Sequence, residues 1–351
     1  MAYTTINKSS EHFNTKLYTG NESTRSETGV GFQPDFTWIK VRSRADPHIL
    51  TDAVRGTSSQ LSSDTTGAQQ TFSNMITSFN SDGFSLGANV DVNRNSETFA
   101  SWNWKAGGGQ GSSNTDGSIN TTYTSVSTTA GFSISKYVGN DTSGATVGHG
   151  LGVVPKMIIV KRLSGSAQNW VVYHASLGNT KRLSLNLTED VSTDSAVWNN
   201  TTPTSTVFTI GNSSKVNGGG GSDSYIAYCF AEKTGYSKFG SYIGNNNEDG
   251  AFVYTGFKPA FVMVKITDTQ TDNWAMYDNK RNTFNTTTSQ RLRANTNAAE
   301  GASGSEVDLL SNGFKVHGSD GEINGSGATY IYMAFAEAPL VGSNNVPCTA
   351  R

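Results

Sequence analysis

A repeated apolar heptad dominates the pattern of hydrophobic and polar positions along the chain. It runs from Pro34 to Lys40, from Pro155 to Lys161 and from Pro259 to Lys265, opening each time with proline and ending with lysine. Proline can begin a strand but cannot continue one, and a short apolar run between turn residues is typical of a strand buried on both faces. The sequence therefore predicts three equivalent central strands.

The neighbours of each heptad also recur, and they recur in one order. A tyrosine followed two residues later by Gly-Asn lies upstream, at Tyr18, Tyr137 and Tyr242. A Gln-Leu or Arg-Leu pair lies downstream, beginning at Gln60, Arg182 and Arg291. An aromatic strand closes each unit, from Phe99 to Lys105, from Tyr225 to Ala231 and from Tyr330 to Ala336. So many landmarks in one order indicate an internal triplication.

The periodicity within each unit is that of strands. In the first closing strand Ala100, Trp102 and Trp104 alternate with smaller or polar residues, so one row of side chains faces a core. Clusters of Gly, Asn, Asp and Ser separate the strands. We therefore predict an all-β fold of three tandem antiparallel β-sandwich domains of jelly-roll type. No helix longer than a turn or two is expected, and residues 296–300 are the nearest candidate.

The repeats also set the predicted boundaries. We expect a leader and attachment arm over 1–15, a first repeat over 16–106 and a Gly/Ser/Thr linker over 107–130. A second repeat over 131–234, a third over 235–340 and a tail over 341–351 follow. Because the linker has almost no apolar residues, its composition predicts a flexible tether. Three such units could form a rod or close into a pseudo-three-fold ring, and the sequence does not choose between them.

Bulk composition excludes several classes of function. The 351 residues carry a net charge of −2, with 35% hydrophobic and 15% charged residues, so the basic surface that nucleic acids require is missing. No apolar window is long enough to span a membrane, and the start resembles no secretory signal. Cys229 and Cys348 do not make a disulfide framework. We expect synthesis in a cytoplasm, with Cys229 buried in an aromatic strand.

Residues able to carry chemistry are scattered. The histidines are His12, His48, His149, His174 and His317, and no pair has the spacing of metal ligands. The Asn245-x-Asn247-x-Asp249 segment resembles the start of a calcium loop, but Gly256 replaces the final acidic ligand, which favours a turn. Acidic residues do not recur at matched sites, apart from Glu232 and Glu337. We therefore expect no enzyme, with no catalytic, cofactor-binding or metal-binding residue.

Two repeated tryptophans, Trp170 and Trp274, each follow an asparagine. Exposed aromatic rings can stack on sugars, but recurrence at one position favours core anchors of the sandwiches. The first unit has His48 there instead. The loops that differ most between units span 42–50, 186–206 and 279–305, so a ligand surface is expected on them. The sequence does not identify the individual glycan-binding residues.

Several long phrases resemble a repeated domain of marine tailed bacteriophages. These phrases run from Lys16 to Asn21, from Thr28 to Phe36, from Val147 to Lys161 and from Asn169 to Gly178. The resemblance covers all three units and the tail, and it implies a virion protein of fibre or capsid-surface type with a lectin-like β-sandwich fold. We expect other virion proteins and host-cell glycans as partners, and a homo-oligomer such as a trimer. It brings no catalytic residues.

Three hypotheses follow. The first is a tail-fibre or tail-associated protein that contributes to host attachment through glycan contacts. The second is a capsid decoration, a head fibre or cement protein, that has no ligand and is mounted through residues 1–15. The third, and least favoured, is a polysaccharide hydrolase with two carboxylates in a cleft.

Overall fold

The computed structural model describes residues 3–268, 271–282, 288–304 and 306–342. All pairs of named strands in it are antiparallel. The helices are a 3-10 turn (Ser9–Glu11), α1 (Val90–Asn93), α2 (Ser195–Trp198) and α3 (Gly321–Asn324). No described helix approaches the length that a membrane crossing would need. The all-β prediction is therefore confirmed.

Each unit contributes one series of strands. The first contains β1 (Phe13–Thr19), β2 (Arg25–Thr28), β3 (Phe36–Val41), β4 (Ile49–Asp52), β5 (Ser59–Gln60), β6 (Gln70–Thr71), β7 (Ile76–Asn80), β8 (Gly83–Leu86) and β9 (Thr98–Trp104). The second contains β10 (Tyr123–Ser127), β11 (Phe132–Val138), β12 (Ala145–Gly148), β13 (Met157–Arg162), β14 (Val171–His174), β15 (Lys181–Ser184), β16 (Ser192–Thr193), β17 (Val207–Ile210) and β18 (Ser224–Phe230). The third contains β19 (Ser237–Ile243), β20 (Phe252–Tyr254), β21 (Phe257–Ile266), β22 (Trp274–Asp278), β23 (Thr288–Arg293), β24 (Gly301–Gly304), β25 (Val307–Leu310), β26 (Gly313–Val316) and β27 (Thr329–Pro339).

The three larger sheets share one strand order. They run β1-β9-β3-β4, β10-β11-β18-β13-β14-β15-β16 and β19-β27-β21-β22-β23-β24. The closing strand therefore always lies between the central strand and the strand that contains the repeated tyrosine. Smaller sheets accompany them, in the orders β2-β8-β7, β12-β17 and β20-β26-β25. In the first unit, Ile39 and Phe99 of the larger sheet pack with Phe84 and Leu86 of the smaller one. This is β-sandwich packing.

The repeated heptads form the central strands β3, β13 and β21. Every residue of β3 and β13 is buried, as predicted for strands covered on both faces. Pro34 and Pro155 precede their strands, while Pro259 lies at a register shift inside β21. All three prolines therefore sit where a missing amide hydrogen does not interrupt the ladder.

The repeated tyrosines and three buried asparagines fix the corners of the units. Each tyrosine hydroxyl donates to a backbone carbonyl, in the pairs Tyr18 to Val92, Tyr137 to Val216 and Tyr242 to Ile323, at 2.7–2.8 Å. The next residue along is an asparagine whose side chain accepts from the amide of the Gly-Asn motif, in the pairs Asn93 with Asn21, Asn217 with Asn140 and Asn324 with Asn245. These repeated landmarks therefore serve folding.

The larger sheets face one another in a shared aromatic core. The ring of Trp104 lies 6.5 Å from Phe230 in the second unit and 5.7 Å from Phe335 in the third, measured between ring centroids. Phe36 of the first unit stacks on Tyr228 of the second at 4.6 Å. The predicted apolar face of the closing strands is thus confirmed as a core, and this core lies between units.

Three matched backbone hydrogen bonds join the units in a closed ring. The carbonyl two residues beyond each heptad lysine accepts an amide hydrogen from a different unit. The pairs are Gln69 to Leu163 at 3.0 Å, Val191 to Thr267 at 3.1 Å and Glu300 to Arg42 at 2.7 Å. The first unit thus contacts the second, the second contacts the third, and the third returns to the first. Of the two arrangements that the sequence left open, the contacts are those of the ring.

The linker and the leader differ from their predicted character. Residues 123–127 of the expected flexible tether form β10, which pairs with β11, and Ile119 is buried against the second unit. Backbone pairing replaces the apolar contacts that this composition lacks. In the leader, Ile6 is buried and the last three residues belong to β1. Residues 296–300 are not helical.

Candidate functional site

Four of the five histidines, His48, His149, His174 and His317, use both ring nitrogens within the protein. His48 Nδ1 accepts from the Trp38 indole at 2.8 Å, and its Nε2 lies 3.0 Å from the Arg293 carbonyl. His149 and His174 bind backbone groups through both nitrogens in the same way. Burial lowers the pKa of His48 to about 3 and that of His174 to about 4, so both rings are neutral. The ring nitrogens of these histidines therefore serve structural hydrogen bonds, mostly to backbone groups.

Three further candidates from the sequence, Cys229, Glu232 and Glu337, are buried or paired with neighbouring groups. Cys229 is buried in β18, as predicted, and burial raises the pKa of its thiol, whereas Cys348 lies outside the described residues. Glu232 forms an ion pair with Lys238 at 2.9 Å, and Glu337 forms one with Lys258 at 2.7 Å. The two glutamates therefore serve separate local contacts.

The segment resembling a calcium loop forms consecutive side-chain turns. The amide of Asn247 donates to Asn245 Oδ1 at 3.1 Å, and the amide of Asp249 donates to Asn247 Oδ1 at 2.9 Å. The Asp249 carboxylate is paired with Lys315. Asn245 Oδ1, Asn247 Oδ1 and Asp249 Oδ1 are thus engaged by protein donors, which agrees with the predicted turn.

The repeated tryptophans are buried, but they join units instead of anchoring single sandwiches. The Trp170 indole donates to the Ser62 carbonyl of the first unit at 2.9 Å, and the Trp274 indole donates to Ser184 of the second at 3.0 Å. His48 makes the matched contact with Arg293 of the third unit. The substitution of His48 for tryptophan therefore preserves this hydrogen bond around the ring.

Three carboxylates, Asp272, Asp320 and Glu322, lie close enough to hold a cation, with one oxygen of each within 4.8 Å of the others. Arg291 Nη1 approaches Asp320 at 2.7 Å and Glu322 at 3.1 Å. Arg293 binds Glu322 at 2.8 Å, and Asp320 also caps α3. Since Arg291 and Arg293 already pair with two of these carboxylates, Asp320 and Glu322, the cluster is an ion-pair network that holds α3 against β23.

The outer face of the smaller sheet in the third unit is unlike the rest of the ring. Phe252 and Tyr254 alternate along β20 with buried Val253, and their exposed fractions are 48% and 53%. Leu310 of β25 is 37% exposed. Tyr254 lies opposite Gly313 on β26, and Gly313 lies opposite Leu310. Phe252, Tyr254, Gly313 and Leu310 form one continuous apolar strip across β20, β26 and β25, which we call the aromatic face.

Gly313 makes this face flat. A Cβ atom there would lie 2.1 Å from the Val253 carbonyl oxygen and 3.2 Å from Phe252 Cε2, so only glycine fits beneath the ring. Tyr3 borders the face, and its hydroxyl donates to the Gly256 carbonyl at 2.9 Å. Burial and the hydrogen bond with Tyr254 raise the pKa of Tyr3 to about 12. Tyr3, near the N-terminus, therefore holds the edge of the aromatic face in place by this hydrogen bond.

Charged and polar groups surround the aromatic face. Lys315, opposite Phe252, is paired with Asp249, and His317 Nε2 lies 2.8 Å from Asp308 Oδ2. An apolar platform with hydrogen-bonding groups at its border suits an amphipathic ligand, such as a sugar with one C–H face and several hydroxyls.

The matched positions in the other units are not aromatic. By register, Phe252 corresponds to Ser26 and Thr146, and Tyr254 corresponds to Thr28 and Gly148. The fold therefore does not require the aromatic pair. Sequence reasoning missed these two residues, although comparing the strand after each Tyr-x-Gly-Asn motif would have revealed them.

The variable loops only partly offer a free surface. Arg42 forms a bidentate ion pair with Glu300, at 2.7 and 2.8 Å, which joins loop 42–50 to loop 279–305. Loop 186–206 supplies the Val191 amide to the ring. These loops therefore take part in assembling the units.

Comparisons with known proteins give one match. No curated protein and no solved structure is similar to the chain. A family model described as a domain of unknown function, DUF7483, matches residues 8–339 and so spans all three units. The chain belongs to the DUF7483 family.

Proposed function

We propose that this chain is a surface protein of a tailed-bacteriophage virion, of tail-fibre type, that contributes to host attachment by contacting glycans. In this proposal three β-sandwich domains close into a ring, and the ring presents the aromatic face of the third domain outward. The phrases that resemble marine phage proteins support the virion assignment.

The exposure of Phe252 and Tyr254 is the observation that carries the glycan contact. The five largest fully buried side chains are tryptophans of the inner surfaces, so this chain normally places its large rings inside. Leaving two adjacent rings about half exposed forfeits hydrophobic stabilisation. Since Ser26 and Thr28 occupy the same positions without disturbing the fold, the rings are retained for a contact outside the chain.

Glycan binding is tested with the full chain on an array of bacterial surface polysaccharides and neutral oligosaccharides. The variant F252S/Y254T installs the first unit's own residues. We expect it to weaken binding about tenfold or more, because each aromatic contact contributes about 0.5–1.5 kcal/mol. Circular dichroism should show an unchanged fold.

The matched control is V153S/V154S, which removes two side chains of the second unit that are each 40% exposed. This control should bind like the unaltered chain. Absence of binding to every glycan, or equal binding by the F252S/Y254T variant, would contradict the proposed contact. Electron microscopy of virions with a C-terminal label on this chain tests its location: label on the tail is expected, and label on the head favours the decoration hypothesis.

A further inference from the structure

The strand that carries the repeated tyrosine lies at an open sheet edge in the third unit. β19 ends its sheet and pairs with β27 on one side. On its other side, the isolated bridge between Lys233 and Ser237 is the one backbone pairing within the described ranges. Unpaired edge strands present amide and carbonyl groups that another strand can bind. β19 therefore offers a candidate interaction surface beyond Ser237.

The register with β27 shows which backbone groups face this open side. Gly244 donates its amide to the Ala328 carbonyl of the β27 side, and Ser241 and Ile243 each lie an odd number of residues before Gly244. Because successive residues of an antiparallel strand turn alternately toward and away from the paired strand, the amides and carbonyls of Ser241 and Ile243 point away from β27. Both residues are exposed, Ile243 to 56%. A further strand can therefore reach these groups from solvent.

The second unit shows what such an edge accepts. There β10 pairs antiparallel with β11, the strand that matches β19. The Thr122 amide donates to the Lys136 carbonyl at 2.7 Å, and Lys136 matches Ser241 because each directly precedes the repeated tyrosine. The connection before β19 spans only residues 231–236 and contains no strand of its own. The third unit therefore lacks the strand that covers this edge in the second unit.

The first unit closes the corresponding edge of β1 in a different way. Arg25 Nη1 donates to the Thr19 carbonyl at 2.6 Å, and Thr19 occupies the position of Ile243, directly after the repeated tyrosine. Phe13 and Thr15, nearer the start of β1, are buried. Within the described ranges, the edge of β19 has neither the added strand of the second unit nor the arginine of the first. The repeated fold thus leaves one of three matched edges open.

The open part of this edge is complementary to itself. Antiparallel pairing about a two-fold axis at Tyr242 places Ser241 of each copy opposite Ile243 of the other, and each such pair exchanges both of its backbone hydrogen bonds. The two Ile243 side chains then become diagonal neighbours on one face of the joined sheet, where they cover each other. Residues 240–244 carry no charged side chain, so two copies do not repel at this edge. A second copy of the chain is therefore the occupant that the edge fits.

We propose that the open edge of β19 pairs with β19 of a second copy, which joins two chains into a dimer through their third units. Few residues pair, so the contact is small and the dimer forms at high local concentration. Each dimer carries two aromatic faces, and two linked contacts strengthen attachment to a surface that repeats the same glycan. This last consequence rests on the glycan contact proposed above, whereas the pairing itself requires no glycan.

Sedimentation velocity of the full chain tests the dimer between about 1 μM and about 1 mM, the range that covers weak contacts. We expect the mass to rise with concentration from that of one chain toward that of two. I243K should weaken association about tenfold or more, because it places two like charges near each other on the joined edge. S241P removes the outward amide without interrupting the ladder to β27, so it should also weaken association. Circular dichroism of both variants should match that of the unaltered chain.

The matched control is V138K, which adds a lysine at the same position of the second unit, where Val138 is 39% exposed and β10 already covers the edge. V138K should associate like the unaltered chain. The mass of one chain at every concentration would overturn the inference, and so would growth beyond two chains, because two-fold pairing closes on itself.

Association that survives in both I243K and S241P would place the contact elsewhere and reject the edge. F252S/Y254T should still form the dimer, and loss of association in this variant alone would assign the contact to the aromatic face instead. A dimer that forms while no glycan binds would leave this inference standing and reject the glycan contact, so the two proposals fail separately.

Discussion

The contact between the first and third units differs from the contact between the second and third. Both use the same backbone hydrogen bond, in one case to Arg42 and in the other to Thr267. Only the first-to-third contact adds a bidentate ion pair between Arg42 and Glu300. Arg281 Nη1 also lies 3.2 Å from Glu300 Oε2. Where consecutive units meet, the chain itself keeps them close. The contact that closes the ring joins units that are not consecutive in the chain. There, charged side chains add to the backbone hydrogen bond that all three contacts share.

The same comparison applies to the buried groups at the ends of β4, β14 and β22. Asp52 pairs with Arg55 and accepts from Tyr228 of the second unit at 2.7 Å. Asp278 pairs with Arg281 at 2.6 Å and accepts from the Trp102 indole of the first unit at 3.0 Å. Between the second and third units, the matched residue is His174, which approaches the Tyr332 carbonyl at 3.2 Å. Two contacts therefore depend on buried charge, and one depends on a neutral hydrogen bond.

Replacing the buried aspartates should have the largest effect. D52A leaves the fully buried Arg55 guanidinium without its carboxylate partner, and D278A removes the nearer of the two carboxylates beside the fully buried Arg281, so we expect each to lose about 3–5 kcal/mol in the free energy of unfolding. H174A should cost about 1–3 kcal/mol, since it removes neutral hydrogen bonds. Urea denaturation of the three variants measures the difference. Equal losses for all three would show that buried charge does not distinguish the contacts.

The Arg42–Glu300 pair offers a milder test of the closing contact. E300Q keeps the shape and mimics Gln69, which occupies the matched place between the first and second units, so we expect a loss of about 1–3 kcal/mol. Burial acts to raise the pKa of Glu300, but hydrogen bonds and charges from Arg42 and Arg281 lower it overall. The pair therefore stabilises the fold above the ordinary pKa of 4.5, and this contribution disappears as the pH falls through the lower folded-state value.

The acid sensitivity of E300Q provides the measurement for that pair. Stability of the unaltered chain should fall more steeply below pH 4.5 than stability of E300Q. Q69E is the reciprocal control: it adds a carboxylate opposite Leu163, where no arginine is matched, so it should not stabilise the chain. A gain in stability for Q69E would mean that the arrangement of charges is unimportant.

The three heptad lysines give the smallest expected effect, because burial lowers the pKa of each by the same amount. Burial lowers the pKa of Lys40, Lys161 and Lys265 from 10.5 to about 8. Since the folded state releases these protons first, the cost of burying the charge is complete below pH 8 and is relieved between pH 8 and 10.5. One lysine should add about 1 kcal/mol of stability between pH 8 and 9. K161M should reduce this rise, whereas an unchanged slope would contradict it.

The central strands and the closing strands could be predicted because their apolar periodicity is strong. Trp102, Trp104 and Phe335 were correctly assigned to a core face, but the pattern alone cannot say whether that core lies within a unit or between units. The ring hydrogen bonds end on the carbonyls of Arg42, Leu163 and Thr267, which any side chain can supply. A contact of this kind therefore leaves no residue pattern in the sequence from which it could be predicted.

The candidate sites show the same limit. Phe252 and Tyr254 alternate as in any half-buried strand, so their outward direction is visible only from the register with β26. Comparing matched positions among the three units is what separates residues needed for folding from residues free to serve binding.

Small-angle X-ray scattering tests the closed ring most directly. A compact chain of this length should have a radius of gyration of about 20 Å, whereas three separate domains in a row would give about 30 Å. We predict a value near the lower figure for the monomer, with the mass confirmed by light scattering. A value near the upper figure would show that the three units do not share one core, and it would contradict the ring.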